Sequence, residues 1–333
     1  MRILFVWPGA EFSVWDVGRG LRNALAAAGH DVRDYYLTRR MVYHGHAMEA
    51  GGVAPSKENV AHIAKQASET VVVEALYHDA DLVVLCCGLN FHPLGLRLLE
   101  QVRIPMAIVL TESPYEDADQ AEFVAHAPSA TVCTNDAGSA ARHGWTYLPA
   151  AFDPAIHRPV GPDPAEACDV LMIGTGWAER QRLFEAVDWT GIRPRFIGTW
   201  PYMADGSPVR CYTEEMCVPN EQAPRYYASA KIVLNLHRAH PDAVSLNPRA
   251  YEAAACGAFV LSDARAEGAT VFGDAFATFD GTAADLERQI RAWLSRDEAR
   301  QARAERQQAA VQGQTFDARA ARLLHATGQL VGR

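Results

Sequence analysis

Asn247-Pro-Arg-Ala-Tyr-Glu-Ala-Ala-Ala-Cys-Gly-Ala-Phe-Val-Leu-Ser-Asp263 is the stretch on which the fold turns. Asn247 suits a helix N-cap, and Pro248 suits the first helical position, where its missing N–H would be unpaired anyway. Gly257 stops the helix, and Ala258–Leu261 reads as a short buried strand. A short helix feeding directly into a strand is half of a βαβ unit. Its N-terminus is open to an anion, and Arg249 and Glu252 stand three residues apart on one face. An arginine for phosphate beside a carboxylate for sugar hydroxyls suits a nucleotide diphosphate-sugar.

The rest of the chain repeats this grammar. Arg2–Trp7, Leu82–Cys87, Met106–Leu110 and Ala130–Thr134 are apolar runs of strand length, with a further strand around Asp31–Tyr36. Helical spacing separates them over Leu21–Gly29, Val60–Tyr77 and Leu94–Val102. Strands rich in Val, Ile and Leu that alternate with helices predict a parallel, doubly wound α/β sheet. The pattern lapses around Leu148–Pro164, where Pro and Asp accumulate, and this segment reads as a linker. It resumes with strands at Asp169–Ile173, Arg195–Gly198 and Lys231–Leu236 and helices at Glu179–Val187 and Glu221–Ser229. Leu286–Leu294 is amphipathic, and the tail from Asp297 to Leu330 has helical spacing. The expected division is residues 1–155 as one Rossmann-like domain and 165–312 as a second, with 313–330 returning to the first. Two such domains facing each other predict a ligand cleft between them, beyond the C-terminal ends of the strands.

Composition narrows the function. The chain has 333 residues, enough for two domains, and its 49% hydrophobic and 21% charged content is that of a globular protein. No apolar run reaches the roughly 20 residues that a membrane span needs, so no stable membrane insertion is expected. Seven cysteines, an odd number at scattered positions, make no disulfide framework and point to a reducing cytoplasm. The net charge of -9 argues against general nucleic-acid binding. It leaves room for a local basic groove, and so for a modified DNA base as acceptor. Nothing in the residues speaks to oligomeric state.

Three constellations carry chemistry in the second half. Gly174-Thr-Gly176-Trp-Ala-Glu179-Arg180 follows a strand as a dinucleotide fingerprint would, but Glu179 replaces the third glycine and no acidic residue closes the next strand. Hydride transfer is therefore not the expectation. Arg180 reads as a phosphate partner beside the amides of Gly174 and Gly176, or else as a solvated helix-start residue. Leu234-Asn-Leu-His237-Arg238 ends a strand beside the Asn247 helix, placing His237 near the same ligand, with Ser245 in the loop over its phosphates. Glu252, in an apolar helix, needs a partner, either ribose hydroxyls or Arg249.

The first half is weaker in signal. Asp16, His92 and Glu112 follow strand ends and are candidate general bases, although each taken alone reads more readily as a loop residue or cap. The loop from Pro8 through Glu11 to Asp16 could face an acceptor. Asp117-Ala-Asp119 has metal-pair spacing but stands where a helix should begin, and His44-Gly-His46 lacks further ligands, so no metal site is expected.

Together these motifs resemble glycosyltransferases of the two-Rossmann GT-B architecture, and most closely the spore-maturation CgeB-like group within the glycosyl transferases group 1 superfamily. The resemblance is carried by the Gly174–Arg180 turn, by Tyr226-Tyr-Ala-Ser-Ala-Lys-Ile-Val-Leu-Asn-Leu-His-Arg238 and by Asn247–Gly257. In the first half it rests on Tyr147-Leu-Pro-Ala-Ala-Phe-Asp153 and His157-Arg-Pro159. It implies a sugar-nucleotide donor, foremost a UDP-sugar, held by the C-terminal domain, and a hydroxyl acceptor held by the N-terminal one. The superfamily's donor site is marked by two glutamates eight residues apart. Glu252 matches the ribose-binding second, while Val244 stands at the first.

The resulting expectation is a hexosyltransferase that needs no metal or other cofactor. Arg180, Arg249 and helix amides would hold the leaving diphosphate, while His237 and Arg249, with Asp16 or Glu112, would serve the reacting atoms. The donor residues are then Gly174, Gly176, Arg180, His237, Ser245, Asn247, Arg249 and Glu252. A nucleotide-sugar epimerase and a non-catalytic sugar-nucleotide-binding partner protein are the alternatives, the latter favoured by Val244.

Overall fold

Five apolar side chains in a row make Leu82–Cys86 a strand covered on both faces, and the same holds for Met106–Leu110. They are the middle of a parallel sheet. In the computed structural model, which describes residues 1–8, 13–53 and 56–328, the chain forms two units. One comprises Met1–Pro149 and the chain from Phe316 onward, and the other Ala150–Thr315.

Along the first unit run β1 (Arg2–Trp7), α1 (Ser13–Ala27), β2 (Asp31–Tyr36), α2 (Leu37–Ala50) and α3 (Lys57–Tyr77). They are followed by β3 (Leu82–Cys86), α4 (Pro93–Gln101), β4 (Met106–Leu110), α5 (Asp117–Val124), β5 (Thr131–Thr134), α6 (Ala137–His143) and β6 (Thr146–Tyr147). The strands lie in the order β2-β1-β3-β4-β5-β6, all parallel. No helical pattern marks α2 in the sequence, where His44-Gly-His46 interrupts the spacing. Tertiary contact supplies what the pattern lacks, since Met41 packs into the core of the unit.

The second unit holds β7 (Cys168–Ile173), α7 (Ala178–Glu185), β8 (Pro194–Ile197), β9 (Thr213–Glu214), α8 (Ala223–Ser229) and β10 (Ala230–Asn235). Then come α9 (Pro248–Ala255), β11 (Val260–Asp263), α10 (Ala266–Phe272), β12 (Ala277–Phe279), α11 (Ala283–Leu294) and α12 (Asp297–Val311). Its strands are ordered β12-β11-β10-β7-β8-β9, again all parallel. The order reverses between β7 and β10, so the ends of these two strands part and leave the crevice typical of such sheets. The strand after Gly257 is Val260–Asp263, two residues later than the apolar run suggested. Cys256 and Gly257, the latter at φ +80°, form the turn that ends α9, and Ala258 and Phe259 lead from it into the strand.

Two connections behave unlike linkers. Phe152 bridges in parallel to Thr315, and His157 is 2% exposed, so the Pro- and Asp-rich segment is packed into the second unit. The last helix, α13 (Phe316–Ala326), returns to the first unit. Its Phe316 ring rests where a side chain on Gly20 of α1 would be, and Arg319 Nε donates to Pro149 O at 2.9 Å. No helix among the described residues is long and apolar enough to cross a membrane.

Candidate functional site

The reversal between β7 and β10 gathers the motifs of the second half. Gly174 leaves β7 at φ +139°, a conformation that side chains rarely adopt. Arg180, on the first turn of α7 and 7% exposed, donates from Nη1 to Thr175 O at 2.7 Å and from Nη2 to Leu236 O at 2.6 Å. It therefore ties the Gly174–Gly176 turn to the end of β10. These bonds make it a structural cation as well as a positive charge beside the turn.

His237, just past β10, is fully engaged. Its Nδ1–H donates to Asp263 Oδ1 at 2.6 Å, and its Nε2 accepts the backbone N–H of Asn247 at 3.0 Å. That pairing requires the neutral ring, and burial holds the His237 pKa below its ordinary value. Burial opposes ionisation of Asp263, but hydrogen bonds from His237 and the charge of Arg265 prevail and hold its carboxyl low. Arg265 carries the clamp onward, with Nη1 on Ala243 O at 2.6 Å and Nη2 on Arg238 O at 3.2 Å. Glu267 accepts from Leu246 N at 2.5 Å and from the Tyr251 hydroxyl at 2.9 Å. The loop over the start of α9, including the buried Ser245, is thus built from both ends.

The helix itself departs from the expected cap. Asn247 occupies the N-cap position without a side-chain capping bond, and its Nδ2 donates to Leu236 O at 3.2 Å instead. Its own amide faces His237, so an anion at this helix meets the later amides and Arg249. The Arg249 guanidinium fills the space that a side chain on Gly174 would take, with Cζ 3.5 Å from that position. Arg249 Nη1 is buried and has no hydrogen-bond partner.

Glu252 faces elsewhere, although only three residues separate it from Arg249. It takes a hydrogen bond from Tyr227 of α8, and its Oε1 lies 4.0 Å from His157 Nε2. Burial and the nearby Glu252 charge push the Tyr227 hydroxyl well above its ordinary pKa, so it stays a donor. His157 is itself fixed, accepting from Asp153 N at 3.2 Å and pairing with Asn220 Oδ1 at 2.9 Å. Its neutral Nε2–H tautomer follows from those two bonds.

The first-half candidates lie in the other unit. Asp16, on the first turn of α1, pairs with Arg19 at 2.8 Å. Glu112 follows β4, and burial together with its charge raises the Cys87 thiol to about 11. His92 caps α4 through Nδ1, which accepts from Leu94 N at 3.1 Å. Asp117 pairs with Arg142 at 2.9 Å and His143 at 3.5 Å at the start of α5. His46 pairs with Glu49. Among the described residues no three His, Cys, Asp or Glu side chains are grouped as metal ligands. Residues 9–12, within the loop expected to face an acceptor, lie outside the described residues.

A pocket of about 620 Å³ opens beside the clamp at the ends of β10, β11 and β12, lined by Arg180, His237, Asp263, Arg265 and Phe279 among others. Asp263, Arg265, Glu267, Tyr227 and His157 were not singled out as site residues from sequence. Apart from the local Asp153–His157 and Asp263–Arg265 pairs, their partners are 16 to 95 positions away, and no local spacing signals them. The Asp that ends β11 was the one available hint, because parallel strands place its carboxylate beside the end of β10.

Residues 179–325, which include all of this site except the Gly174–Gly176 turn, His157 and Asp153, match the family described as glycosyl transferase-like. No curated protein matches the sequence. The chain is similar in structure to the Anabaena protein HepE in complex with UDP-glucose, at 14% identity and TM-score 0.67, over 99% of this chain and 100% of that one. Sucrose-phosphate synthase from Thermosynechococcus elongatus gives 12% identity and TM-score 0.66, over 99% and 98%. A Listeria monocytogenes protein described as a UDP-N-acetylglucosamine 2-epimerase gives 12% and 0.57, over 97% and 94%. Similarity at this level and over the whole length shows the fold, which is GT-B with two Rossmann-like parallel-sheet units.

Proposed function

We propose that the protein transfers a sugar from a nucleotide diphosphate-sugar, foremost a UDP-sugar, to a hydroxyl acceptor. The observation that carries this reading is Arg249, a half-buried arginine held against the Gly174 turn, whose Nη1 is buried and lacks a partner. A buried donor without an acceptor is costly, and a diphosphate at the strand-order reversal would supply the acceptor. Arg249, the amides of the Gly174–Gly176 turn and α9, and the charge of Arg180 would stabilise the leaving diphosphate, the main electrostatic work of the reaction. Glu252, oriented by Tyr227, would take the ribose hydroxyls. With those cations present the transfer needs no divalent metal. In this reading His237 acts through the loop and α9, positioning the donor rather than exchanging protons. Asp16 and Glu112 of the first unit are the candidates for activating the acceptor.

The likeness of residues 179–325 to glycosyl transferase-like proteins and the UDP-glucose bound by HepE support the choice of reaction and nucleotide. Assignment to the CgeB-like group and to hexosyl transfer belongs to the same proposal. A second reading, epimerisation of the sugar nucleotide, is favoured by the Listeria structure. Thermal shift with UDP, GDP and ADP is the first test, and selective stabilisation by UDP is expected. Incubation with UDP-glucose then separates the readings. Release of UDP and glucose supports transfer, and an altered sugar on intact UDP supports epimerisation. Absence of stabilisation by any of the three nucleotides overturns both.

A further inference from the structure

His157 lies in the Pro- and Asp-rich segment, far in sequence from α8 and α9, yet its imidazole is where those two elements meet. Its own turn fixes the ring. His157 N donates to Asp153 O at 2.7 Å, Ala155 N donates to Asp153 Oδ1 at 2.9 Å, and Asp153 N donates back to His157 Nδ1 at 3.2 Å. With Nδ1 occupied as an acceptor, the proton sits on Nε2. That N–H donates to Asn220 Oδ1 at 2.9 Å, in the short turn that leads into α8, and stands 4.0 Å from Glu252 Oε1 on α9.

At 4.0 Å there is no hydrogen bond, so His157 occupies no lone pair of Glu252. In buried surroundings of low dielectric, the positive end of the N–H dipole still draws the carboxylate toward it. Tyr227 of α8 makes the direct hydrogen bond to the same carboxylate. Exposure separates the two groups further, since the His157 side chain is 1% exposed and that of Glu252 16%. A hydroxyl arriving from solvent reaches the carboxylate and not the imidazole. His157 therefore stands behind Glu252 as a fixed dipole, and Asn220 keeps its proton from closing on the oxygen that faces it.

We propose that His157 is a positioning residue for the ribose carboxylate, orienting Glu252 from behind while leaving its oxygens open to the ribose hydroxyls. This rests on the sugar-nucleotide reading and adds to it the residue that sets the ribose contact. Two substitutions separate the two edges of the ring. His157→Asn puts an oxygen where Nδ1 stands, so it keeps the bond from Asp153 N but reaches neither Asn220 nor Glu252. His157→Gln puts an amide N–H near Nε2, so it keeps the reach and gives up the turn. Isothermal titration of the full chain with UDP and 2′,3′-dideoxy-UDP supplies the readout. The wild type should prefer UDP. His157→Asn should lower that preference by about 3- to 10-fold, the range for one typical hydrogen bond, by weakening UDP alone. His157→Gln should retain most of the preference. A role confined to the turn predicts the reverse order, with His157→Asn matching the wild type, and that result overturns the proposal. Equal weakening of both nucleotides in His157→Asn overturns it as well. Absence of UDP binding by the wild type overturns instead the donor reading, and this inference with it.

Discussion

The Nε2 of His237 accepts the backbone N–H of Asn247 at 3.0 Å, so a strand end in this protein holds the first amide of the next helix. Asp263, at the end of the neighbouring strand, fixes the ring from its other side at 2.6 Å. The chain from Arg238 to Leu246 is consequently a closed loop, pinned at both ends and tied across by Arg265. The start of α9, and with it Arg249, inherits its position from a histidine ten residues away.

This pairing predicts a pH dependence of stability. Burial lowers the folded His237 pKa below its ordinary 6.5, so the unfolded chain binds this proton first as pH falls. Its contribution is complete above 6.5 and is lost as pH drops through the lowered folded value. Asp263, held below 3.8, acts only in stronger acid. Urea denaturation at about pH 7.5 and about pH 5 should show a drop in stability that is smaller in His237→Gln. The variant should also be weaker at neutral pH by about 1–3 kcal/mol, the cost of stranding the Asn247 amide and Asp263. An identical pH response in the variant would remove His237 as the group responsible.

Arg249→Ala should separate function from folding. With Nη1 already unpartnered in the fold, the chain should keep or slightly gain stability, as expected when a partly buried charge lacking a partner is removed. Release of UDP from UDP-glucose should fall about 100- to 1000-fold, the usual effect of removing one donor from a developing anion. Arg249→Lys should lie between, since an ammonium replaces the charge but not the fork. Undiminished UDP affinity in the alanine variant would dissociate Arg249 from the diphosphate.

Gly174→Ala should act through the same guanidinium. The added methyl meets Arg249, and φ +139° is itself unfavourable for alanine, so a loss of about 1–3 kcal/mol is expected. The double variant Gly174→Ala, Arg249→Ala should recover the steric share and keep the backbone share. Denaturation midpoints of the four proteins form the cycle. Strict additivity would mean that the two residues do not meet.

How much of this was legible in the sequence depended on the range of the interaction. Met106–Leu110 was read to the residue, because an apolar run bounded by Pro105 and Thr111 has one interpretation as a buried strand. The strand after α9 starts two residues later than its apolar run: Ala258 and Phe259 are apolar because they pack into the core just ahead of the strand, and polarity alone does not mark Ser262 and Asp263 as strand. Asn247 was read as a side-chain cap from local preference, but Leu236 O, available only in the folded sheet, captured its amide. Arg249 and Glu252 stand out in the sequence by their spacing along one helix. That they face different partners follows from Gly174, Tyr227 and His157, which the helix meets only after folding.

The pairing of Tyr227 with Glu252 bears on nucleotide choice. If the carboxylate receives ribose hydroxyls, wild-type protein should bind UDP more tightly than 2′,3′-dideoxy-UDP by about 10- to 100-fold, the range for hydrogen bonds to a charged acceptor. Glu252→Ala should erase that preference by weakening UDP alone. Tyr227→Phe removes one neutral donor from Glu252 and leaves His157 in place, so the preference should shrink a few-fold without vanishing. Isothermal titration of both nucleotides against the three proteins supplies the comparison. The ratio is informative because a general disturbance of the buried α8–α9 packing would weaken both nucleotides equally. Equal ratios across all three proteins would take Glu252 away from the ribose and leave it as the structural partner of Tyr227 and His157.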